Sequence, residues 1–142
     1  MSDSVNHPTH YNQGPLEADG TAKYEVIKII EALGWGFPFC MGNALKYVLR
    51  SAHKGAAEED LKKAKWYLQR ALTADQFTRN LWQALSFVHV DTTGVATDVT
   101  AAWFGATIVH QARCFSGVAA VRQIIAGQPE RALAALEEGP IV

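Results

Sequence analysis

The stretch from Gly42 to Leu72, GNALKYVLRSAHKGAAEEDLKKAKWYLQRAL, constrains this chain more than any other. Apolar residues recur along it at steps of three and four, break off at His53-Lys54-Gly55, and resume after Glu58-Glu59-Asp60. Cations followed by glycine end a helix, because they offset the negative end of its dipole and glycine accepts the left-handed cap conformation. Three carboxylates suit the first turn of the next helix for the complementary reason. The stretch therefore predicts a helical hairpin. Its first helix, about 39 to 52, buries Leu45, Val48 and Leu49; its second, about 58 to 72, buries Leu61, Ala64, Leu68, Ala71 and Leu72. Beside these stripes run two polar ones, Asn43, Lys46, Tyr47 and Arg50 on the first helix and Asp60, Lys63, Tyr67 and Arg70 on the second.

Residues 1–20 are rich in Pro, Gly and Asn and have no helical period, which predicts an irregular arm that contributes to a site. A helix with Thr21 as N-cap follows, carrying Tyr24, Ile27, Ile30 and Leu33 on one face and ending at Gly34. Gly34-Trp35-Gly36-Phe37-Pro38 reads as a packed turn. Residues 21–72 form the helical core and residues 73–142 a helical second half devoted to packing or oligomerisation. Within that half, one helix spans about 75 to 88 with Phe77, Leu81, Leu85 and Val88 on one face, and Asp91-Thr92-Thr93-Gly94 is a break. The next helix is capped near Thr97 or Asp98 and runs to about Cys114, with strand as the competing assignment for its Val and Thr content; Ala102, Gly105, Ala106 and Val109 leave room for a neighbour. Ser116 caps a short helix that ends at Gly127, and Pro129 opens a last one that ends at Gly139-Pro140. The expected fold is all-α, a compact bundle of about six or seven helices with an irregular N-terminal arm.

With 142 residues, 49% of them hydrophobic, the chain can bury a core without staples. A formal net charge of -1 argues against a general nucleic-acid binder, which needs a positive field to release counterions. The N-terminal MSDSVNHPTHYNQG has no apolar signal core and no apolar run spans a bilayer, so a cytoplasmic protein without membrane partners is expected. Cys40 and Cys114 lack metal-ligand spacing and read as buried free thiols rather than a disulfide or a nucleophile. There is no Gly-x-x-x-x-Gly-Lys-Ser/Thr loop and no Gly-x-Ser-x-Gly elbow. Glu58-Glu59-Asp60 is similar to the acidic helices of all-α nucleoside triphosphate pyrophosphohydrolases, but the carboxylates are consecutive and three lysines follow; charge complementation of a helix N-terminus explains them better.

Four segments occurring in order, Val5-Asn6-His7-Pro8-Thr9-His10-Tyr11-Asn12-Gln13-Gly14, Glu25-Val26-Ile27, Gly42 to Arg50 and Glu59 to Leu68, resemble a family of small phage-encoded domains described as nucleotide kinases lacking a P-loop. The resemblance covers residues 5–72 and implies a largely helical, oligomeric phage protein, resident in the host cytoplasm, that handles deoxynucleoside phosphates. On that implication the ligand-binding residues are His7, His10, Tyr11, Asn43, Lys46, Tyr47, Arg50 and Lys54, and the catalytic ones Asp60 and His10. No cofactor is assigned, with Mg2+ admitted if the chain is a kinase; no protein-held metal is expected. The other reading is a non-enzymatic sponge that sequesters a nucleotide-derived host immune signal.

Each of these residues also has a plainer reading. Lys46, Arg50, His53 and Lys54 form a phosphate site or a solvated basic helix edge. His7 and His10 contact a ligand or make structural hydrogen bonds; a His-x-x-His pair alone is too short a signature for zinc. Asn43 contacts a base or ribose, or caps the hairpin's first helix. Tyr11, Tyr47, Trp35 and Trp66 stack on a base or belong to the core.

Overall fold

The structure, a computed structural model, describes residues 15–16, 18–20, 25–51, 53, 57–89, 92–104 and 112–137, with side chains at 86–89, 92–93 and 112–116 left aside. Seven helices occur among these residues: α1 (Val26–Ala32), α2 (Gly36–Ser51), α3 (Ala57–Ala71), α4 (Gln76–His89), α5 (Thr92–Phe104), α6 (Ala112–Ile125) and α7 (Pro129–Glu137). The all-α expectation holds, helix count included. The expected N-terminal arm, with His7, His10 and Tyr11, and Lys54 lie outside the described residues, as do Asp91 and Gly139-Pro140.

The hairpin forms where its periodicity places it, with Leu45, Leu61 and Leu72 half-buried rather than buried. α2 buries Phe37, Cys40, Met41, Ala44, Val48 and Leu49, and α3 buries Ala57, Asp60, Ala64, Leu68 and Ala71. Ala44, Val48, Ala64 and Leu68 are wholly inaccessible to solvent. Alanines set against larger aliphatics let the two helices approach closely. α6 then packs on α2, and α7 on α3. Ala120, Val121, Ile124, Ala132 and Leu136 thereby join the same core as the hairpin. Gly117 sits where a Cβ would lie 3.4 Å from the Phe104 ring and 3.7 Å from Val48, so α5, α6 and α2 converge on a glycine.

Several boundaries differ from the expectations. α2 begins at Gly36 and takes Pro38 into its first turn, where a missing N–H costs nothing because first-turn amides have no intrahelical acceptor. The packed turn before it shrinks to Gly34-Trp35, with Trp35 exposed and Phe37 buried. α1 starts after Glu25 rather than at a Thr21 cap. It does end at Gly34, which has φ +81°. Its amide donates to Glu31 O while that of Trp35 donates to Ile30 O, the paired bonds of a Schellman motif. Of the expected α1 stripe Ile27 is buried but Leu33 is exposed.

α5 begins at Thr92 and contains Gly94, so the expected break does not extend past residue 91. Its threonine content is compatible with a helix because Thr100 Oγ1 donates to Ala96 O at 2.8 Å, satisfying a buried hydroxyl within the helix. Ala102 is exposed, and Ala96, Thr100 and Phe104 form the buried face instead. Cys114 and Ser116 both fall inside α6, so Ser116 is not a cap. Gly127 and Pro129 mark the end of α6 and the start of α7 as expected, with Gly127 at φ +73°.

α4 shows the largest departure. Asp75 caps it, accepting from the amide and the hydroxyl of Thr78, each at 2.8 Å. The backbone amide is the larger cause of the lowered Asp75 pKa. Phe77, Leu81 and Leu85, expected on a buried face, are all exposed. Trp82 packs inward, Arg79 pairs with Glu130 and Gln83 donates to Gly127 O, so the helix docks on the α6–α7 turn through its other side. The apolar ridge is real, but the other described residues do not cover it.

Leu68→Ala removes a fully buried side chain and should cost about 2–5 kcal/mol in urea unfolding. Leu81→Ala should change stability by less than about 1 kcal/mol. Equal losses at the two positions would contradict the packing described.

Candidate functional site

The hairpin carries a charged corner at each end. At the α2 start and α3 end, Arg70 donates from Nε to Glu31 Oε2 at 2.8 Å and from Nη2 to Glu31 Oε1 at 2.7 Å. This bidentate hydrogen bond raises the Arg70 pKa, against the opposing effect of burial. The pair lines a cleft of about 360 Å3 together with Gly34, Gly36, Phe37, Thr73, Asp75 and Thr78. Gly36 is needed there, since a Cβ would lie 2.8 Å from Glu31 Cγ. Every charged group in this corner is satisfied: Glu31 by Arg70, and Asp75 by Thr78.

The other corner, where α2 ends and α3 begins, is about 20 Å away along α2 at 1.5 Å per residue. It holds most of the described residues that the sequence marks as a site. Tyr47 and Tyr67 stack across the hairpin with ring centroids 5.9 Å apart and planes 13° apart. Trp66 and Phe39 meet the Tyr67 ring edge-on at 5.0 and 6.1 Å. Three cations gather on Tyr47: Lys46 Nζ at 4.5 Å from the ring centroid, Arg50 Cζ at 5.4 Å and Lys63 Nζ at 5.4 Å. Each such contact contributes about 0.5–1 kcal/mol at an exposed site. Together they hold like charges that would otherwise separate.

Asp60 lies behind these cations and is buried, its side chain 3% exposed, although the sequence placed it on the polar stripe. The signal was present: Ala57, Asp60, Ala64, Leu68 and Ala71 follow the helical repeat, so position 60 belongs to the core-facing row. The nearest approach of the neighbouring guanidinium, Arg50 Nη2 to Asp60 Oδ1, is 3.9 Å, too long for a hydrogen bond. Asp60 Oδ2 and Arg50 Nε are both buried and have no hydrogen-bond partner among the described residues. A charge so placed costs several kcal/mol unless something completes it. Such atoms occur where strain, an ordered water or ion, or a ligand or catalytic role accounts for them; Arg79 Nε, beside the Arg79–Glu130 pair, is another.

The remaining site residues divide. Asn43 sits inside α2 rather than at its cap; its amide donates to Phe39 O at 2.9 Å and its carbonyl accepts from Lys46 Nζ at 3.1 Å. It therefore anchors Lys46. The Tyr47 ring is engaged by Tyr67 and the cations, so it organises charge rather than offering an open stacking surface. Lys63, not marked as a binding residue by the sequence, joins the cluster and is also 3.5 Å from Glu59 Oε1. His53 does not join it: Nε2 donates to Trp103 O at 2.6 Å and the imidazole meets the Trp103 ring edge at 5.6 Å.

Cys40 is buried beside the Glu31–Arg70 pair, and burial, aided by Glu31, pushes its thiol up to about 12 despite the opposing Arg70 charge. Such a thiol is protonated at neutral pH and is not a nucleophile. Among the described residues there is no group of three His, Cys, Asp or Glu able to hold a metal, and no helix is long and apolar enough to cross a membrane.

Residues 5–69 match the model of a family described as a protein of unknown function (DUF3310). The matched segment contains Asn43, Lys46, Tyr47, Arg50, Asp60 and Lys63. No curated protein and no solved structure matches the chain.

Asp60→Asn should not lower the unfolding free energy by more than about 1 kcal/mol and can raise it, because the charge removed is buried and incompletely paired. A loss above about 3 kcal/mol would show instead that Asp60 and Arg50 form a structural ion pair. Cys40 should resist iodoacetamide at pH 8 in the native protein and react once denatured; rapid native labelling would contradict its burial.

Proposed function

We propose that the Tyr47–Arg50–Asp60 corner binds a phosphorylated nucleoside. The observation that carries this reading is a cluster of three cations on one aromatic ring, set against a buried carboxylate with an unpaired oxygen. Arg50 presents a planar fork for a phosphate, and Lys46 and Lys63 supply compact charges beside it. Asn43 fixes Lys46, and Tyr67 with Trp66 backs the Tyr47 ring. His7, His10, Tyr11 and Lys54, outside the described residues, complete the binding set in this reading, which follows the resemblance.

The finer reading follows the resemblance: a phage-encoded nucleotide kinase without a P-loop, acting in the host cytoplasm. Its cations would offset charge on the transferred phosphoryl group, while Asp60 and His10 would orient the acceptor. One buried carboxylate beside a guanidinium does not fit Mg2+ unaided, so any such ion would be held chiefly by the nucleotide's own phosphates. The same corner without transfer chemistry is a sponge that holds a nucleotide-derived signal intact. Self-association belongs to this proposal as well, with the uncovered ridge Phe77, Leu81 and Leu85 as a surface available to a second copy.

Purified protein incubated with deoxynucleoside monophosphates and triphosphate donors should bind nucleotide, and Lys46→Gln and Arg50→Gln should each weaken binding about tenfold or more. Diphosphate products in the mass spectrum establish the kinase; a bound ligand recovered unchanged establishes sequestration. Absence of any nucleotide binding by folded protein would overturn the proposal.

A further inference from the structure

We infer that Asp60 selects for a ligand hydroxyl, so that this corner takes a nucleotide whose sugar carries a free hydroxyl in preference to its analogue without one or to bare phosphate. The inference rests on the nucleotide-binding reading above and specifies the ligand class of the same site. It starts from how Arg50 is held. Its side chain is 36% exposed and, among the described residues, stands 3.9 Å from Asp60 and 5.4 Å from the Tyr47 ring centroid. Neither contact is a hydrogen bond, so the Nη groups can turn toward an arriving anion against the attraction of Asp60 alone.

That movement has a consequence for Asp60. The carboxylate is 3% exposed, and Oδ2 already lacks a partner with Arg50 in place. An anion that draws Arg50 outward leaves Asp60 with still less compensation, so bare phosphate binds against an opposing cost. A ligand that also delivers an O–H donor removes the cost, because a hydroxyl donates to Asp60 Oδ2 while its own oxygen accepts from the orphaned Arg50 Nε–H. Rotation about the Cδ–Nε bond carries the Nη groups toward the anion and leaves Nε in place, which opens the access that this hydroxyl needs. Phosphate and alcohol on one sugar satisfy both side chains at once, and a site built to hydrogen-bond a hydroxyl strongly rejects the analogue without it. Lys46 and Lys63 carry no such discrimination, since they meet phosphate as point charges.

Calorimetric titration of the full chain with the four deoxynucleoside 5′-monophosphates, their 2′,3′-dideoxy counterparts and inorganic phosphate tests this. For the base that binds, the dideoxy form should be weaker by about tenfold or more. In Asp60→Leu that ratio should collapse to less than about twofold, while inorganic phosphate binds more tightly because Arg50 is no longer held back. Asp60→Asn, which keeps the side chain's size, serves as the second variant and should narrow the ratio without abolishing it. Equal affinities for both sugar forms in the parent would overturn the hydroxyl assignment and leave nucleotide binding standing. Binding of neither form would overturn both.

Discussion

The close packing of α2 against α3 is the constraint on which the rest of the structure depends. Ala44, Val48, Ala64 and Leu68 share one solvent-free seam, and the small side chains in it set how near the helix axes come. That separation brings Tyr47 onto Tyr67 and places Arg50 beside Asp60. It also brings Arg70 of α3 within reach of Glu31 at the end of α1. The second half of the chain reinforces the seam from outside, because α6 and α7 bury their apolar faces against the same two helices. The corner is thus carried by rigid elements rather than loops, which favours fixed geometry over adaptability.

The two charged corners of the hairpin use one pair of residue types in opposite ways. Glu31 and Arg70 meet in two short parallel hydrogen bonds, leaving little for a ligand to gain. Arg50 and Asp60 approach without bonding, and each keeps a buried atom unmatched. The first arrangement stabilises the junction of α1, α2 and α3. The second is poor as a structural device, and the cations beside it are gathered on an aromatic ring. A corner that combines a surplus of positive charge with an incomplete carboxylate is suited to a ligand carrying both an anion and a donor.

Much of this was legible in the chain itself, and the failures have physical causes. The hairpin was readable because its apolar stripes keep the helical repeat on both sides of His53-Lys54-Gly55. Gly34, Gly127 and Pro129 were readable because positive φ and a missing amide have few alternative uses. Asp60 was misplaced because three consecutive acids suggest a solvated first turn, although its spacing from Ala64 and Leu68 assigns it to the buried row. Phe77, Leu81 and Leu85 were misplaced because periodicity shows that an apolar face exists, not that the same chain covers it. The Arg70–Glu31 pair and the His53–Trp103 contact join residues far apart in sequence, and no local pattern encodes them. Lys63 was visible as a stripe residue, but only the packed hairpin shows that it shares a ring with Lys46 and Arg50.

The central claim is that Arg50 and Asp60 are an open pair completed by a nucleotide. Side-chain NMR of the Arg50 Nε–H, followed during titration with deoxynucleoside monophosphates, addresses it at the atom concerned. This resonance should shift progressively to saturation, together with the backbone amides around Tyr47 and Asp60. A resonance that stays in place while nucleotide binds elsewhere on the protein would contradict it.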